Sequence, residues 1–452
     1  MKASYQLPSS VEPAAVEDTE MEESSQIRPA APPSSSYRYY VLGILVLVYT
    51  LNFLDRQILG ILAAPIKAEL HLSDSQLGLM GGLAFAILYS TMGVPVAWLA
   101  DRSSRAWIMT TALALWSLFT AVCGFAGSFW QLFAARVGVG IGEAGGAAPA
   151  YSLISDYFPK QQRGRALAAY SLGIPIGSGL GVIFGGLIAA WIGWRAAFII
   201  VGAVGLLLAP IFRLTVRDPQ RGGADAEVSG KVAVPAPAPG FREVLKVLLP
   251  KRSFWLIAFG AAASSVCGYG VAFWLPSFFQ RSFHLSLVHT AWFYGAINVL
   301  GGILGIAGGG VLADKLGAKS RGNYPLIPAV AFLVAMPCFY AAVNTKSLVV
   351  GFFLFAIPTG LNLAWLGPVL TSVQHLVPAN MRSTASALFL LINNLFGIAV
   401  GYYYFGAVSD VLHVRFGAES LRYAIYSGGA FYLLSSVLFI IASRTLKKDW
   451  VE

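Results

Sequence analysis

From Tyr39 to Ser443 the chain is a succession of long apolar stretches separated by short polar turns. Each reaches the roughly 20 residues that a helix needs to cross the hydrocarbon core of a bilayer. Twelve such stretches can be delimited: 39–66, 74–100, 107–127, 130–157, 164–191, 194–216, 254–281, 289–313, 324–343, 346–375, 383–412 and 420–443. Membrane-crossing strands would be about 10 residues long and alternate polar with apolar. The pattern predicts an all-α integral membrane protein of twelve transmembrane helices.

Two polar segments interrupt this pattern. Residues 1–36 hold Glu12, Glu17, Asp18, Glu20, Glu22 and Glu23 among Ser and Pro, with no apolar core for a cleavable signal, and read as a disordered tail. Residues 217–252 contain VPAPAPG (Val234 to Gly240), which favours an extended linker. The expected organisation is therefore a tail (1–36), a six-helix bundle (37–216), a linker (217–252), a second six-helix bundle (253–443) and a C-terminal tail (444–452).

Composition agrees: 57% of residues are apolar and 12% charged, and the mean hydropathy is +0.68, whereas soluble chains carry about 25% charged residues. No enzyme-like soluble domain remains. Placing both termini in the cytoplasm puts 23 Lys and Arg on the inner side and 6 on the outer. That bias is the signature of a multi-pass protein of the cell (inner) membrane with cytoplasmic ends. The net charge of +10 then reports topology and contact with anionic lipid, not nucleic-acid binding. Cys123, Cys267 and Cys338 all lie in apolar stretches, with no disulfide or metal spacing, so neither metal nor cofactor is expected.

The chain repeats itself. AWLADRSSRA (97–106) and GVLADKLGAK (310–319) each follow the second helix of a half, and PKQQRGRALA from Pro159 parallels PANMRSTASA from Pro378. Two matched loops at nearly equal offsets imply duplication. The pattern Gly-x-x-x-Asp-Arg/Lys-x-Gly-x-Arg/Lys resembles the signature loop of the major facilitator superfamily. The second copy fits well; in the first, Ala97 and Ser104 replace the glycines. That resemblance implies two six-helix bundles that rock around a midplane site. A cytoplasmic gate of Asp101, Arg102, Arg105, Asp156, Asp314 and Lys315 is expected. Asp101 would sit against the helix starting near Arg382, and Arg102 or Arg105 would pair with Asp156. His375 stands where the second half would have its Asp156, and is largely neutral at pH 7. The lesser alternative is that these charges only enforce topology.

Four ionisable residues lie deep in apolar helices: Asp55 and Arg56 in the first, Arg136 and Glu143 in the fourth. One charge at the bilayer centre costs roughly 2.5–3.5 kcal/mol even on a mild scale, so four together require pairing or an aqueous cavity. Arg136 and Glu143 are two turns apart on one face, about 10 Å along the axis. Depths of about 9 Å for Arg136, 16 Å for Asp55 and 20 Å for Glu143 permit Asp55 to bridge to Arg136 and Arg56 to Glu143. A static clamp is the competing reading.

The matching helices of the second half carry aromatics and amides instead: Tyr269, Phe273 and Trp274, then Tyr294 and Asn298, then Thr359, Asn362 and Trp365, with Asn393 and Asn394 on the eleventh. Singly each suits packing; together with Arg56 and Arg136 they suggest a cavity charged on one wall and apolar on the other. Such a cavity suits an amphiphile with an anionic or zwitterionic head.

Asn52, Asp55 and Arg56, the run Arg136-x-Gly-x-Gly-x-Gly142-Glu143-Ala144, and Asp156-x-Phe-Pro resemble the Spinster family of lysolipid and sphingolipid transporters over most of residues 38–443. The resemblance implies that the charged residues act in substrate binding and proton coupling. No histidine falls in mid-helix, so a midplane proton carrier must be a carboxylate. Burial favours a neutral carboxyl and a nearby cation the ionised form. Asp55 and Glu143 could thus exchange protons as Arg56 or Arg136 moves to a substrate phosphate. The expectation is proton-linked alternating access by a monomer, with a lipid-like substrate, protons and membrane lipids as its partners. A small organic anion symporter, a passive facilitator and a non-transporting receptor remain alternatives. Gly173, Gly177, Gly181 and Gly185 form a four-residue series that suits close helix packing.

Overall fold

Serine opens many of the helices. Ser34, Ser73, Ser104, Ser128 and Ser347 each accept a backbone N–H of the first turn, satisfying a donor that the helix itself leaves free. At Ser73 the Gln76 side chain returns the bond, completing a capping box. A computed structural model describes residues 34–100, 102–219, 241–317, 319–378 and 381–451. The N-terminal tail and most of the linker lie outside the described residues.

Ten helical stretches among the described residues are long and apolar enough to cross a membrane. One of them, Thr384–Asp449, contains two crossings divided by a turn at Gly417, whose φ of 54° is open to glycine. A twelfth crossing is split into Phe129–Glu143 and Ala147–Tyr157, each too short to count alone. The twelve crossings in order are Ser35–Leu70; Asp74–Gly81 with Leu83–Ala100; Arg105–Cys123; Phe129–Glu143 with Ala147–Tyr157; Lys160–Ser171 with Gly173–Trp191; Trp194–Thr215; Arg252–Ser282; Leu287–Gly317; Asn323–Asn344; Leu348–Leu363 with Leu366–Gln374; Arg382–Asn394 continuing through a π turn, Leu395–Val400, into Gly401–Phe416; and Ser420–Ser427 with Gly429–Asp449. The fourth and tenth crossings break at equivalent places, 144–146 and 364–365, so the duplication extends to the irregularities.

Within the first half, the first crossing packs on the fifth and the third on the fourth and sixth. Within the second, the seventh packs on the twelfth, and the tenth on the eighth and ninth. The halves meet along three seams: fifth against eighth, second against eleventh, first against seventh. Two stretches placed outside the helices are helical. Phe241–Leu248, inside the linker, is a helix that buries Val244 and Leu248, and the twelfth crossing runs on to Asp449.

The glycine series of the fifth crossing lies on the first. A Cβ at Gly177 would come 2.2 Å from the Thr50 carbonyl oxygen, and one at Gly181 2.5 Å from that of Leu54. The backbones therefore touch where Asp55 begins the charged stretch. Gly181→Ala is expected to destabilise the protein by about 1–3 kcal/mol, the usual cost of overpacking, read as a lower melting temperature of the purified protein.

Candidate functional site

The first and fourth crossings bring the four deep charges together as two ion pairs. Arg56 Nε lies 2.7 Å from Glu143 Oε2. Arg136 Nη1 lies 3.6 Å from Asp55 Oδ1, an ion pair too long to be a hydrogen bond, and Thr120 donates its hydroxyl proton to Asp55 Oδ2. Asp55, Arg136 and Glu143 are each 1% exposed. Among the described residues, Asp55 Oδ1 and Glu143 Oε1 have no hydrogen-bond partner.

Arg56 is held as a plane. Its guanidinium carbon lies 4.4 Å from the centre of the Tyr89 ring, 4.9 Å from Phe85 and 5.1 Å from Phe53, a cation–π environment that replaces part of the lost hydration. Unlike Arg136, Arg56 also faces a central cavity of ≈ 100 Å³ between the halves. Around it stand Gln57 from the first crossing, Tyr269, Asn298 and Asn362 from the second half, and Tyr402 and Tyr432.

Of the residues singled out in the sequence, Arg56, Tyr269, Asn298 and Asn362 therefore line the cavity, as do Tyr294 and Thr359. Arg136 lies behind it with Asp55. Phe273 and Trp274 are fully buried against the eleventh crossing: Phe273 stacks on Tyr402 at 4.5 Å and Trp274 Nε1 donates to the Tyr402 carbonyl at 2.9 Å. Trp365 packs edge-on against Phe389, and Asn393 accepts from the Ser265 hydroxyl, so neither borders the cavity. Gln57, Thr120, Tyr402 and Tyr432 escaped the sequence reading. Gln57 adjoins Arg56 and was the most accessible of these; a tyrosine in an apolar helix carries no comparable signal.

One face of the molecule carries the basic loops. There Arg105 is buried and makes a bolt within the first half: it donates to Asp156 and to Ser152 Oγ (2.9 Å), and to Asp218 Oδ1 (2.8 Å) and the Pro219 carbonyl (2.8 Å) beyond the sixth crossing. Asp101 lies outside the described residues. Arg102 lies over the Trp98 ring, and Asp314 and Lys315 are exposed. In the second half His375 stacks on Trp450 at 4.3 Å, with Val451 N donating to its carbonyl. Burial pushes the His375 imidazole below its ordinary pKa; a separate interaction of the ring with the Val451 backbone opposes this, and Arg382 and Arg321 add to it.

The opposite face holds a clamp between the halves. Asp74, at the start of the second crossing, accepts both Arg281 terminal nitrogens at 2.7 Å, Lys67 Nζ at 2.6 Å and the Ser409 hydroxyl at 2.8 Å. Asp410, in the last two turns of the eleventh crossing, accepts the backbone N–H groups of Asp74 (3.1 Å) and Ser75 (2.7 Å) and the Ser75 hydroxyl (2.5 Å). A carboxylate from one half thus caps a helix N-terminus of the other, where the helix dipole favours it.

Comparison with known proteins agrees with this architecture. The family model described as Major Facilitator Superfamily matches residues 45–402. An "MFS-type efflux pump" of Mycolicibacterium smegmatis is 34% identical, over 91% of this chain and 94% of its own. Protein spinster homolog 3 of Danio rerio is 29% identical, over 93% of this chain and 89% of its own. The crystal structure of a bacterial homolog of the human lysosomal transporter Spinster, in an inward-facing and unoccupied conformation, superposes with a TM-score of 0.83 at 32% identity, covering 93% of this chain and all of that one.

Proposed function

Since the chain belongs to the major facilitator superfamily and is homologous to Spinster proteins, we propose that it is a proton-coupled transporter of an amphiphilic lipid, of the lysophospholipid or sphingosine-phosphate type. One observation carries this reading. The central cavity has a single cation, Arg56, on one wall, while its other walls are aromatic, aliphatic and neutral amide. An anionic or zwitterionic head would take the guanidinium, and an alkyl chain would lie against Tyr269, Leu275, Phe339 and Tyr432. A small organic anion would want a second cation or a dense polar wall opposite Arg56, and the residues there are Asn298, Thr359 and Asn362. Both walls come from a single chain, so a monomer suffices. The basic face is assigned to the cytoplasm of the inner membrane by the excess of Lys and Arg in its loops.

In this cycle Glu143 takes a proton when Arg56 leaves it for the substrate head, which links loading to protonation. Two carboxylates serve: Glu143 beside the cavity and Asp55 behind it. In proteoliposomes offered a panel of lysolipids and organic anions, a lysolipid is expected to move faster under an imposed pH gradient. Glu143→Gln should lose at least about tenfold of that stimulation and retain exchange between equal pools. Full flux together with a full pH response in Glu143→Gln would remove the proton role from this residue.

A further inference from the structure

Immediately after Glu143 the fourth crossing departs from α-helical hydrogen bonding, Gly145 and Gly146 N–H bonding three residues back, before the α-helix resumes at Ala147. Irregular backbone at membrane depth persists where it lines a cavity, and Gly146 and Ala147 do border one. It is a small chamber distinct from the central cavity, sharing only Phe53 and Arg56 with it, with ≈ 30 Å³ of room for water. That space holds about two water molecules. Its polar wall consists of Tyr49, Asn52, Tyr89, Tyr170 and Glu143. Glu143 gives one oxygen to Arg56, and among the described residues the other has no hydrogen-bond partner.

Position along the helices orients the chamber. Tyr49 precedes Arg56 by two turns of the first crossing, and Tyr151 and Tyr170 flank the same level on the fourth and fifth, all toward the basic face. Tyr49 stacks on Tyr170 at 4.2 Å, Tyr170 meets Tyr151 edge-on at 5.5 Å, and Tyr151 is 39% exposed. The chamber therefore continues as a row of phenols toward that face. The Asp55–Arg136 pair borders neither the chamber nor the central cavity. The other groups facing Glu143 are Arg56 and Asp55 from the first crossing, Arg136 from its own, Tyr89 from the second, Trp116 and Met109 from the third, Tyr170 from the fifth and Tyr402 from the eleventh.

We propose that this chamber is a water-holding proton route connecting Glu143 to the basic face without passing through the substrate cavity, with Tyr49 as its relay. The inference rests on the proton-coupled reading above and adds the path. On protonation, the Tyr49 hydroxyl passes its proton to chamber water, which passes one to Glu143 Oε1, while Tyr49 accepts one from hydronium on its other side. The phenol is regenerated, the carboxylate becomes a carboxyl and hydronium becomes water. Release reverses each transfer. A route separate from the cavity lets Glu143 exchange its proton while lipid fills the space beside Arg56.

The test needs no substrate. The full-length protein in liposomes is followed by time-resolved infrared spectroscopy after a pH jump, the Glu143 carboxyl band being the one lost in Glu143→Gln. Tyr49→Phe retains the ring stacked on Tyr170. It is expected to slow the gain of that band at least about tenfold without moving its titration midpoint, which a packing defect would move. Equal rates in Tyr49→Phe and wild type overturn the route and leave the transporter reading standing. A Glu143 carboxyl that does not titrate across the physiological range overturns both the route and the proton part of the proposed function.

Discussion

Arg281→Gln is expected to shift the molecule toward the state open at the face opposite the basic loops by about two orders of magnitude in population. The Arg281–Asp74 pair joins the halves through two parallel hydrogen bonds, with side chains 19% and 3% exposed. Removing one partner of such a pair costs about 3–5 kcal/mol, because the remaining charge is stranded. Here the stranded charge is relieved by separating the halves, so the cost falls on the closed state alone, and about 3 kcal/mol corresponds to some 150-fold. Lys67 and Ser409 still reach Asp74 and temper the effect. Spin labels at the exposed positions His71 and Arg415 would read it as a longer distance distribution. A distribution identical to wild type would end the clamp interpretation. Gly78 offers a steric route to the same outcome: its Cβ would lie 2.4 Å from the Tyr402 carbonyl across the seam, so Gly78→Val should open that face while every charge is retained.

Arg56→Ala should abolish capture of an anionic head group, with a loss of affinity exceeding about a hundredfold, the scale for truncating one partner of a desolvated charge pair. It also leaves Glu143 buried without its cation, which lowers stability by about 3–5 kcal/mol. The two effects separate in the double variant Arg56→Ala with Glu143→Gln: stability should return and binding should not. Arg56→Lys should restore only part of the affinity. A lysine has no planar fork to set one nitrogen on Glu143 while three rings surround the rest of the group. Thermal unfolding and lysophospholipid binding, measured on all four proteins, decide the matter. An Arg56→Ala protein that binds as tightly as wild type would refute the head-group role.

The crossings were legible because hydropathy over about 20 residues reports the solvent directly. The ion-pair partners were legible because a helix has a fixed rise, so depth can be counted. What escaped was the packing between non-adjacent segments away from those deep charges. Asp74 and Asp410 sit at helix ends, where charge is ordinary, and nothing local marks them as partners of each other's helices. Phe273 and Trp274 look like Tyr269 in sequence, yet a turn further along the seventh crossing they leave the cavity and pack against the eleventh. The break after Glu143 lies among Gly142, Gly145 and Gly146, which hint at irregularity and not at the chamber beside it. Phe241–Leu248 was obscured by the proline-rich stretch preceding it.

The four deep charges, two of each sign, all belong to the first half. Their cancellation has an electrical consequence. In the proposed cycle the empty carrier swings its site across the membrane without displacing net charge, so the membrane potential exerts no force on the return step. Once a carboxylate is protonated the site carries one positive charge, and the potential contributes up to about 2.3 kcal/mol per 100 mV to its movement. A zwitterionic cargo leaves that value unchanged and a singly anionic one cancels it. The voltage dependence of turnover would then report the charge of the cargo, even before its chemical identity is in hand.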